Sequence, residues 1–581
     1  MIDKEMAITL DYNGKDIEAR FPYHPRLVSV MQISIPGRRW NGKKKCWLLP
    51  ANEITAKWIE QFNLLFPDIK LIQKASVKKF LTGRKEKSEI CETIKGKITD
   101  PLKSVDQAEY KLKPYNHQFE ALRYIVRRSQ GKIPYAGLFY EMGTGKTKIV
   151  VDSSRILNWK KILIIIPKTI GVSWKKEIAK NLDKPYRIID ATKGTTRKRA
   201  ELIADSLNYQ KYNGRSFVLV NYDAIRIKAM FEVLNSIEWD AMILDESTYV
   251  KTPKAQRTKA AIRLGQAAGF RMVMTGTPIT NNYLDLYAQL KFLDPSILGI
   301  PTYTAFKATY AILGGFEQKQ VVGFKNVEDL LEKVKNHSLI CMIDDCLDLP
   351  EKMPPIIRSV SLDDYPEVKA AYNNMRKSLM HEFDDGNITT AKNVLTKLLR
   401  LQQITSGFLT DDEGNINSFG QSPKITALLE FINEIADDES VVIWARFLHD
   451  IDEIERAISP YGKVGKITGS ITGEDRDKII NDFEDGKIRF LVATPRTCGF
   501  GINLVSARYT IWYSSSFSLE ERYQADARTY RSGQKRRTFF IDLVCENTID
   551  ELILTAISKK SDLLDYVMSS SKRIEKAIPE L

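Results

Sequence analysis

The chain has 581 residues, too many for one hydrophobic core, and a prior of roughly 100–200 residues per domain predicts three or four structural units. Its hydrophobic content of 43% is typical of a soluble globular protein, and no apolar run reaches the roughly 18 residues needed to cross a membrane. The formal charge of +14, from 87 basic and 73 acidic residues, favours a polyanionic partner. Six scattered cysteines make neither a disulfide framework nor a zinc site, and the first residues do not resemble a signal peptide. We therefore expect a reduced, cytosolic setting.

Residues 1–70 predict a small α+β module, which we call the N-terminal module, and residues 71–107 predict a charged helical linker. The β-type runs of the module precede a helical pattern and cover residues 7–10, 17–21, 30–35 and 46–49. Residues 1–104 carry 20 basic and 12 acidic side chains, a net charge of +8. More than half of the excess positive charge therefore lies on this first part of the chain.

One stretch of the N-terminal module, RRWNGKKKCW, contains Asn41 and Gly42, a pair that favours a tight hairpin turn. The turn would present Arg38, Arg39 and Lys43 to Lys45 on an exposed ribbon flanked by Trp40 and Trp47. Basic residues interleaved with aromatic residues suit contact with a nucleic-acid backbone and stacking on bases. A solvated hairpin with two core tryptophans would give the same pattern.

Between residues 108 and 300, apolar strand patterns alternate with amphipathic helices, which predicts an α/β fold with a parallel sheet covered on both faces. The segment YEMGTGKTK follows the first of these strands and precedes a helix. Its glycines would let backbone amides close on phosphate oxygens, its lysine would reach the β- and γ-phosphates of ATP, and its second threonine would ligate Mg²⁺. The residues concerned are Gly143, Thr144, Gly145, Lys146 and Thr147. A glycine turn before a surface helix is the plainer alternative, because Tyr140 replaces the first glycine of the usual pattern.

Four further strand patterns of this region end in small or charged residues, at the edge where ligands bind in parallel sheets. Asp245 and Glu246 follow one of these strands, residues 241–244, downstream of the glycine loop. In this order Asp245 would hold Mg²⁺ and Glu246 would orient the attacking water. The strand at residues 272–274 ends in the sequence TGTP.

Residues 301–355 are less regular and predict an insertion and a crossover into a second α/β unit over residues 356–560, with a helical tail at 561–581. The second unit has no glycine-lysine loop, so we interpret it as the other half of one composite ATP site. A helical run in QADARTYRSGQ would present three residues on one face, because spacings of three and four adjoin on a helix. They are Gln524, Arg528 and Arg531. The two arginines would complete the γ-phosphate site as arginine fingers; the alternative is a solvated basic helix.

A series of motifs over residues 108–560 resembles the Swi/Snf-type family of superfamily 2 helicase-like ATPases in content and order. The motifs are LKPYNHQFEAL, EMGTGKT, IIIPKTIGVSWKKEI, VLVNYD, LDESTYVK, MTGTPITNNYLDLYAQLKFLDP, LLRLQQITSGF, FGINL and QADARTYRSGQ. The resemblance implies two RecA-like lobes that move along duplex DNA as ATP is bound and hydrolysed. It also implies an adenine contact, a coupling of the two lobes, and positions near nucleotide and DNA. These roles would fall on Gln118, on Thr275 and Thr277, and on Gly501 and Asn503, respectively.

The chain departs from the family pattern at several positions. DEST replaces the commoner DEAH or DEGH, Cys498 replaces a frequent glycine, and Ala527 and Tyr530 replace an aspartate and a histidine near the arginines. Phe517 stands where the family has a tryptophan. The catalytic acids and both arginines remain. The N-terminal module resembles, more loosely, the HepA-related (HARP-type) module of annealing helicases, through GRRW, the K-x-W pattern and the helix after them.

We therefore expect a DNA-dependent ATPase, with ATP and Mg²⁺ as cofactors, that moves along double-stranded DNA and remodels forks, branched DNA or protein–DNA complexes. The alternatives are a strand-separating helicase, an RNA-polymerase-associated translocase and a non-hydrolysing ATP-controlled DNA clamp. We expect a monomer without membrane association. The compact organisation is typical of a bacterial protein, which would be associated with the nucleoid, or of a viral protein in the host cytoplasm.

Overall fold

The computed structural model describes most of the chain. The residues outside the description are 1–5, 15, 36–37, 52, 83–102, 132, 209–211, 213, 315–319, 347–348, 385–390, 412, 472–473, 499–501 and 571–581. The chain divides into two compact units. The first unit comprises residues 1–141, 145–342 and 566–581, and the second unit comprises residues 142–144 and 343–565. Within the described residues, no helix has both the length and the apolar character needed to span a membrane.

A five-stranded mixed sheet forms the N-terminal module. Its strands are β1 (Ala7–Tyr12), β2 (Asp16–Arg20), β3 (Arg39–Asn41), β4 (Cys46–Pro50) and β5 (Lys70–Gln73), and they lie in the order β3-β4-β2-β1-β5. Strands β1 and β5 are parallel, and the other pairs are antiparallel. Its helices are α1 (Pro25–Ser34), α2 (Glu53–Glu60), α3 (Phe62–Leu65) and α4 (residues 75–82). Val77 of α4 is buried in the same core as Leu10 and Trp58, so the module continues past residue 70 into the predicted linker.

The prediction of a strand at residues 30–35 is wrong, because these residues lie in and just after α1. The helix has strong start signals: Pro25 occupies its first turn, and the imidazole Nδ1 of His24 accepts a hydrogen bond from the Leu27 amide at 3.1 Å. Leu27 and Met31 are fully buried. Their spacing of four residues fits one face of a helix, and this burial outweighs the β-propensity of the neighbouring valines.

The seven-stranded sheet of the first unit is parallel throughout, which confirms the α/β prediction. Its strands are β6 (Tyr135–Tyr140), β7 (Lys161–Ile166), β8 (Tyr186–Ala191), β9 (Arg215–Asn221), β10 (Ala241–Asp245), β11 (Phe270–Met274) and β14 (Ser338–Cys341), in the order β14-β6-β11-β10-β7-β9-β8. A separate hairpin is formed by β12 (Ala311–Gly314) and β13 (Gln320–Phe324). Because β14 pairs with β6, the segment predicted as insertion and crossover supplies a strand of this sheet.

Helices follow most strands of the first unit and cover the sheet. They are α5 (Lys103–Asp106), α6 (Asn116–Gln130), α7 (Lys146–Ile156), α8 (Gly171–Asn181), α9 (Thr196–Asn208), α10 (Lys228–Asn235), α11 (Gln256–Gln266), α12 (Leu286–Leu293), α13 (Pro295–Leu298), α14 (Tyr303–Tyr310) and α15 (Val327–His337). All residues of β10 are buried, as expected for a central strand covered on both faces. Because helices cover the faces of the sheet, its polar groups can contact a ligand at the ends of the strands.

The second unit contains a six-stranded parallel sheet, which also agrees with the prediction. Its strands are β15 (Ile356–Val360), β18 (Val441–Trp444), β19 (Val464–Ile467), β20 (Phe490–Ala493), β21 (Tyr509–Trp512) and β22 (Phe539–Cys545), in the order β15-β22-β21-β18-β20-β19. Strands β16 (Phe408–Thr410) and β17 (Ile416–Ser418) form a hairpin. The helices are α16 (Ile343–Cys346), α17 (Pro366–Asp384), α18 (Ala391–Thr405), α19 (Pro423–Glu434), α20 (Leu448–Ile458), α21 (Glu474–Glu484), α22 (Pro495–Cys498), α23 (Leu519–Thr529) and α24 (Ile549–Ser570).

A buried charged cluster lies in the second unit. The ammonium of Lys424 is 2.8 Å from Oδ2 of Asp550, and both side chains are almost fully buried. Oδ2 of Asp450 accepts hydrogen bonds from the hydroxyls of Ser514 at 2.8 Å and Ser406 at 3.5 Å. Burial raises the pKa of Asp450 to about 7, although these hydroxyls and Lys424 oppose the shift. This unit therefore carries a carboxyl group that titrates near neutral pH.

Candidate nucleotide-binding site

The loop between β6 and α7 has the backbone conformation that its glycines predict. Gly143 and Gly145 have φ values of 87° and 81°, in the left-handed region. A Cβ atom at position 145 would also overlap the side-chain amide of Gln118, so a larger residue here would displace that amide. Thr144 is buried within the loop, and Thr147 is the second residue of α7 and half-buried.

Lys146 lies at the first position of α7 and reaches back over the loop. Its ammonium donates hydrogen bonds to the carbonyl oxygens of Tyr140 at 2.7 Å and Glu141 at 3.2 Å. Both acceptors are neutral, and a negatively charged phosphate oxygen would accept a stronger hydrogen bond from the ammonium. The ammonium is therefore held beside the loop by two backbone carbonyl oxygens.

Gln118 is fixed beside the glycine loop by the start of α6. Its Oε1 accepts a hydrogen bond from the Tyr115 amide at 3.0 Å, and its Nε2 faces Gly145. The ring of Tyr115 stacks on that of His117, with centroids 5.8 Å apart and planes 11° apart. The structure thus brings together the predicted adenine-contacting residue and the predicted phosphate loop.

Asp245 ends β10, and both of its carboxylate oxygens have donors. Oδ2 accepts a hydrogen bond from the indole N–H of Trp174 at 2.7 Å, and Oδ1 accepts one from the Glu246 amide at 3.0 Å. Burial raises the pKa of Asp245, while the Lys146 ammonium and these two donors oppose the shift. Tyr222 donates its hydroxyl hydrogen to the Asp245 carbonyl oxygen at 2.7 Å. The aspartate is therefore held at both its backbone and its side chain.

Glu246 adopts a left-handed backbone conformation, with φ of 51°, and is 8% exposed. This conformation is uncommon for a residue other than glycine, asparagine or aspartate and turns the chain sharply after β10. The hydroxyl of Thr275 donates to Oε2 of Glu246 at 3.5 Å and accepts a hydrogen bond from the Thr277 amide at 3.1 Å. The carboxyl ends of β10 and β11 therefore meet at this glutamate.

Sequence reasoning missed one residue, Gln289, that joins the DEST and TGTP segments. Gln289 of α12 is fully buried, and its Oε1 accepts a hydrogen bond from the Ser247 hydroxyl at 2.6 Å. Its Nε2 donates to the carbonyl oxygens of Pro278 at 2.8 Å and Asp285 at 3.0 Å. The departure of DEST from the family pattern at Ser247 was the one signal that could have located this contact.

In the second unit, both predicted arginines converge on one carbonyl group. Nη1 of Arg528 donates to the Ile502 oxygen at 3.5 Å, and Nη1 of Arg531 donates to the same oxygen at 3.1 Å. Helix α23 ends at Thr529, and Tyr530 is extended, with φ of −101° and ψ of 93°. The prediction that Arg531 shares a helix face with Arg528 is therefore wrong; the chain turns instead.

The end of α23 is stabilised by Gln534, whose Nε2 lies about equally far from three carbonyl oxygens. These belong to Val505, Ala507 and Thr529, at 3.0, 3.1 and 3.1 Å. Gln524 is buried, and its carbonyl oxygen accepts a hydrogen bond from Nε of Arg528 at 3.1 Å. Asn503 is exposed next to Ile502, and Gly501 lies outside the described residues.

The N-terminal module has the predicted hairpin between β3 and β4, but its loop spans four residues, 42–45, and is not the tight turn predicted at Asn41 and Gly42. Trp40 is 55% exposed and lies edge-on to Trp47, with ring centroids 5.5 Å apart, so the alternative of two core tryptophans does not hold for Trp40. Arg39 is paired with Asp16 at 2.8 Å, and Arg38 donates to the Ile35 carbonyl oxygen at 3.2 Å. The positive charge of the hairpin is therefore partly neutralised within the module.

The side chains of the first unit fit a nucleoside triphosphate with Mg²⁺. The loop glycines have the left-handed backbone conformation that lets amides turn toward phosphate oxygens, a lysine lies at the mouth of the loop, and an aspartate ends the central strand. Mg²⁺ is commonly bound through one or two protein oxygens plus phosphate oxygens and water, so a larger ligand cluster is unnecessary. In the described parts of the chain, no group of three or more His, Cys, Asp or Glu side chains is arranged to hold a metal alone.

Residues 117–407 match the SNF2-related domain family, and residues 423–533 match the helicase conserved C-terminal domain family. The first match covers half of the chain, which therefore belongs to the SNF2-related family. The resemblance to the Swi/Snf-type superfamily 2 helicase-like ATPases is confirmed, as are the two RecA-like lobes.

Curated relatives share about a quarter of their residues with this chain. An uncharacterized ATP-dependent helicase of Mycoplasma genitalium is 25% identical over 481 residues, covering 80% of this chain and 44% of the relative. The putative protein p41 of the Acyrthosiphon pisum secondary endosymbiont phage 1 is 25% identical, covering 79% of this chain and 98% of the relative. A DNA repair and recombination protein RAD54-like of Drosophila erecta is 25% identical, covering 79% of this chain and 64% of the relative. The chain thus spans less than half of the Mycoplasma relative.

Among solved structures, the Sulfolobus solfataricus SWI2/SNF2 ATPase core in complex with dsDNA is similar to 80% of this chain. The match covers 95% of that structure's chain, with 23% sequence identity and a TM-score of 0.36.

Proposed function

We propose that this protein is an ATPase stimulated by double-stranded DNA, which uses hydrolysis to move along the duplex and to remodel forks, branched DNA or protein–DNA complexes. The observation that carries the proposal is the convergence of three groups at the carboxyl edge of the first sheet. Lys146 lies in the segment after β6, the Asp245-Glu246 pair lies at the end of β10, and Thr275 follows β11. These three strands lie side by side in the sheet, with β11 between β6 and β10. Membership of the SNF2-related family supports it.

The proposed roles follow from the chemistry of each group. Bound Mg²⁺ neutralises charge on the β- and γ-phosphate oxygens of ATP. Lys146 would exchange its two carbonyl partners for phosphate oxygens, and Asp245 with Thr147 would hold the metal. Glu246 would orient the attacking water, since its carboxylate lies beside Thr275 at the end of the adjacent strand.

Arg528 and Arg531 would act as arginine fingers on the charge that develops at the γ-phosphate. A finger of this kind contributes about 10³–10⁵ in rate in other nucleoside triphosphatases. The shared hydrogen bond to the Ile502 carbonyl holds the two guanidinium groups near each other, which supports a joint role. Gln524 and Asn503, on the same part of the second unit, would contact DNA or couple it to hydrolysis.

Duplex DNA is the proposed substrate because the chain has a net charge of +14 and the RAD54-like relative is named a DNA repair and recombination protein. The test is steady-state ATP hydrolysis with linear duplex, forked DNA, single-stranded DNA and RNA at one salt concentration. We expect duplex and forked DNA to stimulate hydrolysis, and the affinity to fall steeply as salt rises. Stimulation by RNA with duplex DNA inert would refute the choice of substrate.

A strand-separating helicase is the second candidate, because the Mycoplasma relative is named an ATP-dependent helicase. The two candidates differ in whether the strands come apart. A duplex with a labelled strand would remain annealed under a translocase and would release the label under a helicase. The N-terminal module would then decide whether a fork is preferred over linear duplex.

For that module we propose a role in binding DNA of a particular shape. The exposed face of Trp40 could stack on an unpaired base at a fork, while Arg38 and Arg39 lie next to it. Trp40→Ala should weaken binding to forked DNA more than binding to linear duplex. The matched control is Tyr23→Ala, which removes another exposed aromatic side chain of the same module. Equal losses of Trp40→Ala on both DNAs would refute a shape-specific contact by this tryptophan, and equal losses on deleting residues 1–104 would reduce the module to a general electrostatic anchor.

A further inference from the structure

Trp174 is a buried tryptophan whose polar atom is directed at the proposed metal ligand. It lies on α8, is 1% exposed, and donates its indole hydrogen to Oδ2 of Asp245 at 2.7 Å. The other carboxylate oxygen, Oδ1, is held by the Glu246 amide at 3.0 Å. Each oxygen of Asp245 thus has one donor from the protein and keeps further lone-pair capacity.

A carboxylate attached to a strand end can rotate about its side-chain bonds, and each rotation moves the oxygen that faces a metal. Two hydrogen bonds from different elements remove that freedom. The Glu246 amide belongs to the turn after β10, whereas the indole comes from α8, so the carboxylate plane is fixed from two sides. Removing a hydrogen-bond donor that contacts a metal-ligating side chain typically lowers metal affinity or activity by about 10–100-fold.

We propose that Trp174 is a positioning residue, which orients the Asp245 carboxylate for Mg²⁺ through the indole N–H. The inference rests on the proposed role of Asp245 as a metal ligand. It adds a residue outside the Asp-Glu pair and outside the glycine loop. It also connects α8 to the metal site, because a shift of α8 away from Asp245 would break the indole hydrogen bond.

The test compares Trp174→Phe with a matched control. Trp239→Phe removes another buried indole N–H of the same unit, which donates to the Leu234 carbonyl oxygen at 2.8 Å. Binding of a non-hydrolysable ATP analogue is titrated against Mg²⁺ concentration by calorimetry, alongside kcat and KM for hydrolysis. In Trp174→Phe we expect the Mg²⁺ concentration for half-maximal binding to rise about 10–100-fold. Binding without Mg²⁺ should be unchanged, and kcat should fall more than KM rises.

Asp245→Asn separates the failure of the inference from the failure of the proposed site. If that variant keeps the parent dependence on Mg²⁺, Asp245 is not the metal ligand and the proposed site itself is wrong. If Asp245→Asn loses the dependence while Trp174→Phe matches Trp239→Phe, only the positioning role is overturned. Replacing Trp174 with 3-benzothienylalanine keeps the bicyclic ring and removes only the N–H. The same shift is required of this variant, so a poorly folded Trp174→Phe protein does not leave the question open.

Discussion

Replacing Gln289 with leucine should weaken the connection between the two loops that hold the catalytic groups. Gln289 is fully buried and bonds to the Ser247 hydroxyl at 2.6 Å and to the Pro278 carbonyl oxygen at 2.8 Å. Its third partner, the Asp285 carbonyl oxygen at 3.0 Å, lies one helical turn earlier and retains a backbone partner in α12. Gln289→Leu therefore leaves two buried groups, the Ser247 hydroxyl and the Pro278 carbonyl oxygen, without this hydrogen-bond partner. At about 1–3 kcal/mol for each group, the expected cost is about 2–6 kcal/mol.

A double-mutant cycle tests the origin of that cost. In Gln289→Leu combined with Ser247→Ala the stranded hydroxyl is gone, so we expect the double variant to recover about 1–3 kcal/mol relative to the sum of the single losses. The assay is the urea midpoint of the four proteins, together with kcat and ATP affinity. ATP binding should be retained and kcat should fall, because Ser247 follows Glu246 directly. Losses that simply add would refute the contact as an energetic link.

The remaining predictions concern the catalytic groups and one buried carboxyl. Lys146→Ala should weaken nucleotide binding and nearly abolish hydrolysis, whereas Glu246→Gln should bind ATP and fail to turn it over; equilibrium binding and steady-state rates distinguish them. Arg528→Ala and Arg531→Ala should each lower kcat by up to about 10³–10⁵-fold with ATP binding retained, measured in the same assays. Asp450→Asn should stabilise the protein relative to the parent more at pH 8 than at pH 5, as compared by thermal melting.

The free energy of unfolding should fall as pH rises, because the folded state binds the Asp450 proton more tightly than the unfolded state. Burial raises the pKa of Asp450 in the folded protein from 3.8 to about 7, with Lys424 and Asp550 as the charged neighbours. Between these values the folded state holds a proton that the unfolded state has lost, so the free energy of unfolding falls as pH rises. The fall is about 1.4 kcal/mol per pH unit at most, and it is complete above the folded pKa. Asparagine removes this cost, so an equal stability difference at both pH values would contradict the assignment.

The parallel sheets and the phosphate loop were predictable because their signals are local. A buried parallel strand is a continuous apolar run, as at Ile162–Ile166, and a glycine loop of this kind has a fixed spacing. Strand β14 was not predicted, since its four residues are identified as a strand mainly by their pairing with β6. The helix at residues 25–34 was missed because its β-type composition obscured the start signals given by its capping residues.

The contacts that complete the site depend on residues far apart in the sequence. Trp174 and Asp245 are brought together only because β7 and β10 are neighbours in the sheet and α8 follows β7. Gln289 reaches Ser247 from α12 for a similar reason. The position of Arg531 depended on where α23 ends, and the extended conformation of Tyr530 is not encoded by helical spacing.

Movement along intact duplex DNA is the central claim, and displacement of a third strand tests it most directly. A labelled oligonucleotide bound in the major groove of a linear duplex would be removed by a protein that travels along that duplex, while the duplex itself stays annealed. We expect displacement with ATP and Mg²⁺ and none with Glu246→Gln at equal DNA occupancy. Separation of the duplex strands would support the helicase instead. Displacement that is independent of ATP, or ATP hydrolysis stimulated by duplex without any displacement, would contradict the proposal of a translocase.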